Sequence, residues 1–158
     1  MQFLCNQKLQ LIRQESAQNQ AACWCDWMNR SAEHYEQQSW SKAVRFAGSS
    51  MELARISLSQ CAPADQLRML HCYCLAVIYT VNICAWARQQ ASIQPIIDEA
   101  CALMHKLYQQ NQAVMKSECA EYFIKLLLND DEHQHYIGRF TRLPFTAISI
   151  DCKPYTKH

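Results

Sequence analysis

The sequence predicts an all-α protein built from stacked antiparallel helical hairpins, and three observations carry that expectation. Two glycines in 158 residues leave few positions for the positive-φ turns on which β-hairpins depend. Apolar residues recur at i, i+3, i+4 and i+7 through most of the chain, the period of a helix that buries one face. The breaks between these stretches are short and polar. Together they divide residues 1–142 into about seven helices of a single domain, followed by an extended tail at 143–158. The chain is 50% hydrophobic and 18% charged, a balance suited to a packed core and unlike that of a disordered chain.

Residues 2–22 are rich in Gln and carry a thin apolar face of Phe3, Leu4, Leu11 and Ile12, which reads as a helix at the edge of the domain. From Trp24 the pattern sharpens. Trp24, Trp27, Met28, Ser31 and Tyr35 share one helical face, and this helix should end near Gln37 and Gln38. Ser39 stands where its hydroxyl could cap the next helix. That helix, Trp40 to Ser59, has a stripe of mostly small residues, Ala43, Ala47, Ser50 and Ala54, so a neighbouring helix can come close. Pro63 then breaks the chain, since proline can open a helix but not continue one.

Residues 66–89 read as a helix that is apolar nearly all round, with no formally charged residue between Arg68 and Arg88. It is long enough to cross a bilayer. His71, Thr80, Asn82 and three cysteines interrupt it, however, and the other helices are amphipathic. The expectation is therefore a central core helix and no membrane span. Ser92 to Pro95 opens the next helix, with Ile93, Ile97, Ala100, Met104 and Leu107 on its buried face. A helix at about 113–129, burying Phe123, Leu126 and Leu127, and a short one with Tyr136 and Ile137 complete the series. Beyond Gly138, the β-branched stretch Phe145 to Asp151 reads as an extended tail, a form suited to docking along helices or onto another chain.

The hairpin from Trp27 to Leu53 resembles a tetratricopeptide (TPR) unit. Trp27 stands at the aromatic position of the first helix and Ser31 at the small residue where the helices cross. Gln38-Ser39-Trp40 resembles the turn, and Ala43, Ala47 and Ser50 follow in the second helix. Arg30 and His34 depart from the motif, and its closing proline is missing. The other hairpins match in helix alternation only, and an irregular helical bundle is the alternative fold. The resemblance implies a non-enzymatic adaptor whose groove between helix pairs holds a peptide or partner helix. Met28, Tyr35, Asn82 and Trp86 are the candidate partner-binding residues.

Other chemistry finds less support. The net charge is +1 and no basic run is present, which counts against a nucleic-acid partner. With no signal peptide legible, the ten cysteines are expected as free thiols in a cytoplasmic setting. Cys23 with Cys25, and His71 with Cys72 and Cys74, look like metal ligands on paper. Residues i and i+2 of a helix point about 200° apart, so neither cluster can easily grip one ion, and no metal or cofactor is expected. Cys101 and His105 could suggest a nucleophile and base, but no third group is placed. His133 and His135 read as parts of a solvated cap. The second functional reading is a small-molecule or metal sensor with a cavity lined by the apolar helix 66–89. A homodimer is compatible with all of this.

Overall fold

Among the residues that the computed structural model describes, 2–110 and 117–138, the chain is all-α. The helices are α1 (Asn6–Gln14), α2 (Ala17–Glu36), α3 (Trp40–Gln60), α4 (Gln66–Trp86), α5 (Ile93–Gln110), α6 (Ser117–Leu128) and α7 (Asp130–Gly138). Single 3-10 turns at Pro63–Asp65 and Gln90–Ser92 lead into α4 and α5. The expected tail at 143–158 and the domain end at 142 lie outside the described residues.

The core forms around α3 and α4. α3 lies between α2 and α4 and packs on both, α5 and α6 follow, and α7 folds back onto α4. The small-residue stripe does what its volume allows: Ser31, Ala43, Ala47 and Ser50 are wholly buried. The Ser31 hydroxyl donates to the Ala43 carbonyl at 2.9 Å, tying α2 to α3 where they meet. α4 is the central helix. Within the stretch Pro63–Trp86, an 18-residue window has a mean hydropathy of 1.5, yet 78% of that window is buried inside the protein. His71 is accommodated in that core by the Tyr136 hydroxyl, 3.0 Å from its Nδ1, and by the edge-on ring of Phe123. The His133 ring nitrogen Nε2 lies 3.0 Å from the Leu126 carbonyl, near the end of α6. It is 2% exposed, so it is no solvated cap.

The N-terminal region differs from the single helix expected at 2–22. α1 stops at Gln14, and α2 begins at Ala17, well before Trp24. Ser16 is the cause, because its hydroxyl accepts the Asn19 backbone N–H at 3.2 Å and starts a new helix. Gln20 holds the corner, donating to the Ile12 carbonyl and accepting from the Ser57 hydroxyl. Ahead of α1, the Phe3 and Leu4 backbone N–H groups donate to the two carboxylate oxygens of Glu52, at 2.7 and 2.8 Å.

The helix ends also correct the sequence reading. Ser39 does not cap α3 with its side chain; its backbone serves instead. The Ser39 N–H donates to the His34 carbonyl and the Gln38 N–H to the Tyr35 carbonyl, while Gln38 takes φ 56. This is the Schellman closure of a helix. The same closure ends α4: Gln89 N–H to the Cys84 carbonyl, Arg88 N–H to the Ala85 carbonyl, and φ 59 at Arg88. It stops α4 at Trp86, short of the expected 89. Both left-handed positions hold a long side chain where glycine is the unstrained choice. Gln38→Gly and Arg88→Gly should each stabilise the protein, by about 0.5–1 kcal/mol after the entropy of the unfolded chain is counted. Urea denaturation of the single and double variants measures this, and a lowered midpoint would contradict it.

Candidate functional site: an aromatic face where two helices end

α2 and α4 both run antiparallel to α3, so their C-termini meet at one end of the domain, with the start of α3 between them. Four aromatic side chains converge there. Tyr35, in the last turn of α2, meets Trp40 edge-on at 5.3 Å and Tyr79 of α4 at 6.0 Å. Trp40, at the first position of α3, lies nearly parallel to Trp86 at 6.4 Å, with 15° between the ring planes. The rings form a string from Tyr79 through Tyr35 and Trp40 to Trp86. Tyr79, Asn82 and Trp86 stand at i, i+3 and i+7 of α4, on one face.

Exposure rises along the string. Tyr79, Tyr35 and Trp40 are half-buried, whereas Trp86 is 60% exposed. Asn82 is half-buried; its Nδ2 donates to the Ile78 carbonyl, and its Oδ1 accepts from Gln134 of α7 at 3.3 Å. Burial pushes the Tyr79 phenol up to about 12, and the nearby Tyr35 phenol and Glu36 carboxylate add to the effect. Tyr79 therefore stays neutral at any physiological pH and can donate a hydrogen bond.

Three of the four residues singled out from the sequence, Tyr35, Asn82 and Trp86, lie at this end of the domain. Met28 does not: its exposure is 0%, and it belongs to the core two turns earlier on α2. Its apolar face is covered at that level, and no partner can reach it without repacking the core. Trp40 and Tyr79 complete the face, although the sequence reading did not assign them to it.

The charged side chains around the cavity beside the N-terminal segment are satisfied within the fold. A cavity of about 320 Å³ opens between the N-terminal segment, α3 and α5, lined by Glu52, Arg55, Tyr73 and Glu99 among others. Glu52 is occupied by backbone N–H groups, and Arg55 pairs with Glu99 at 2.8 Å. Tyr73 is the single residue that α4 contributes to it. The cleft that α4 does line with α2 and α3, near Met69 and Cys72, holds about 20 Å³, room for roughly one water.

Among the described residues, nine cysteines form no disulfide and no group of three or more His, Cys, Asp or Glu side chains could hold a metal. Cys74 is wholly enclosed and burial raises its thiol well above the ordinary range. Cys101 is raised by burial and by the Asp98 carboxylate, the reverse of what a nucleophile needs. No protein-family model, curated protein or solved structure matches the chain.

Proposed function

We propose that the protein is a non-enzymatic adaptor that docks a peptide or helix of another protein on the aromatic face, with Tyr35, Trp40, Tyr79, Asn82 and Trp86 as its contact residues. One observation carries this reading. Trp86 is mostly exposed yet held in register by Trp40, so a large, rigid aromatic surface is presented at little entropic cost. Such residues dominate the energetics of protein interfaces. The TPR-like character of the α2–α3 hairpin supports it, since such stacks present the first helix of each pair, here α2 and α4. The raised thiol of Cys101 supports a non-catalytic role. Cysteines that form no disulfide among the described residues fit the reducing, cytoplasmic compartment of this reading. The burial of α4 favours a protein that does not enter a membrane. The sensor reading draws little from the cleft along α4, which is too small for a ligand.

Selection of a displayed peptide library on the folded domain tests this. Selected peptides should lose at least about tenfold in affinity on Trp86→Ala, the magnitude of an interface hot spot. They should bind Leu128→Ala normally, because Leu128 is as exposed (62%) but belongs to α6. Trp86→Ala itself should cost only about 1 kcal/mol of stability, the worth of one stacked pair. Binders indifferent to Trp86 would reject the reading.

A further inference from the structure

We propose that the aromatic face selects a partner segment carrying an arginine, with the guanidinium held at the tyrosine end by Tyr35, Tyr79 and Glu36, and the adjoining apolar side chain laid on Trp86. The inference rests on the reading of this face as a docking surface and names the chemistry of what docks.

Charge complementarity is the ground for it. Glu36 closes α2 immediately after Tyr35 and is exposed. Among the described residues its carboxylate joins no ion pair. The negative charge of Glu36 reaches the Tyr79 phenol, so carboxylate and rings belong to one neighbourhood. The face also receives the C-termini of α2 and α4, whose terminal carbonyls carry partial negative charge, against the single N-terminus of α3. Electron-rich ring faces add to the attraction for a cation.

The opposite end of the string differs. Arg88 is exposed two residues beyond Trp86, and a second cation there would be repelled. This sets the polarity of the docked segment: cation toward the tyrosines, apolar neighbour toward the tryptophans. Arginine fits better than lysine because its planar group stacks on rings while its N–H fork bonds a carboxylate. The side-chain amides of Asn82 and Gln134 border α4 and α7 at this end and can serve the peptide backbone.

The test uses the full chain and three short peptides with blocked ends: Gly-Leu-Arg-Gly, the same peptide with citrulline for arginine, and the same with glutamate. Citrulline keeps the shape and removes the charge. Binding is followed by NMR of the four tryptophan indole N–H signals and by the backbone shift map. The arginine peptide should shift the Trp86 and Trp40 signals and bind about three- to tenfold more tightly than the citrulline peptide, the scale of one partly exposed charge contact. The glutamate peptide should bind least. On Glu36→Gln, an exposed change that leaves the fold intact, the advantage of arginine over citrulline should fall to within twofold. Equal binding of the arginine and citrulline peptides overturns the proposal, as does an arginine advantage unchanged by Glu36→Gln, or shifts that map elsewhere. Absence of binding by the arginine peptide at millimolar concentration also overturns it. Tryptophan shifts that follow protein concentration instead of peptide would assign the face to a second copy of the chain. Neutral binding that depends on Trp86 would sink the arginine preference while leaving the docking surface standing.

Discussion

Val77→Asp is expected to yield no folded protein, and Ile78→Ala to keep the fold while losing about 2–4 kcal/mol. Val77 and Ile78 are neighbours in the chain and point to different sides of α4, yet both have 0% exposure. A helix at the edge of a bundle could not bury both. α4 manages it because α3 covers one side, α5 another, and α6 and α7 close over a third. An aspartate at Val77 would bury a carboxylate in an apolar core, at a cost comparable to the whole stability of a small domain. Ile78→Ala leaves a void instead, and its cost depends on how far the surrounding side chains relax. Ala85→Asp, one residue before Trp86 and exposed, supplies the contrast and should cost only about 1 kcal/mol, from helix propensity and the charge of the helix C-terminus. Far-UV circular dichroism and urea denaturation of the three variants decide the matter. A well-folded Val77→Asp protein would mean that this side of α4 meets solvent.

Glu52→Ala should lower stability by about 2–3 kcal/mol, the range for hydrogen bonds made to a charged group. Glu52 is 5% exposed, and its two oxygens accept the Phe3 and Leu4 N–H groups. Without the carboxylate, the N-terminal segment loses its anchor to α3, and its amides should exchange rapidly with solvent. Glu52→Gln should not restore the anchor. Its amide has one acceptor oxygen, and its NH₂ group would face the second backbone donor. The ring of Phe3 makes the same junction sensitive from the other side, because it lies directly on Gly48, where a β-carbon would collide with it. Gly48→Ala should therefore destabilise wild-type protein even though alanine is the better helix former by about 1 kcal/mol. In a Phe3→Ala background the sign should reverse. Hydrogen exchange and a double-mutant cycle measure both effects. Slow exchange at Phe3 and Leu4 in Glu52→Ala would show that other contacts hold the segment.

These two junctions mark how much the sequence disclosed. α4 was legible because nothing charged falls between Arg68 and Arg88, and uncharged length is a local property. Glu52 was not, since a lone glutamate in a helix reads as solvent-facing until its partners appear, and these lie 48 and 49 positions away. The Ser16 break was missed because Gln, Ala and Asn on either side favour no sharp boundary. Tyr79 could have been found: with Asn82 and Trp86 it forms an i, i+3, i+7 set on the one helix that otherwise has few polar residues.

The candidate face shows the division most clearly. Met28 and Tyr35 are seven residues apart and so share a face of α2, and by sequence they were equivalent. The tertiary structure separates them, burying Met28 completely and leaving Tyr35 at the rim, because α3 packs along α2 but begins only beyond its last turn. The sequence by itself determined the helical class, the order of most helices and the identity of the central one, since each follows from periodicity and composition within a single stretch. Only the tertiary structure decided which part of each apolar face is covered and which aromatic residues meet at the uncovered end. Coverage depends on where neighbouring helices stop, and that is a property of the whole packing rather than of any one segment.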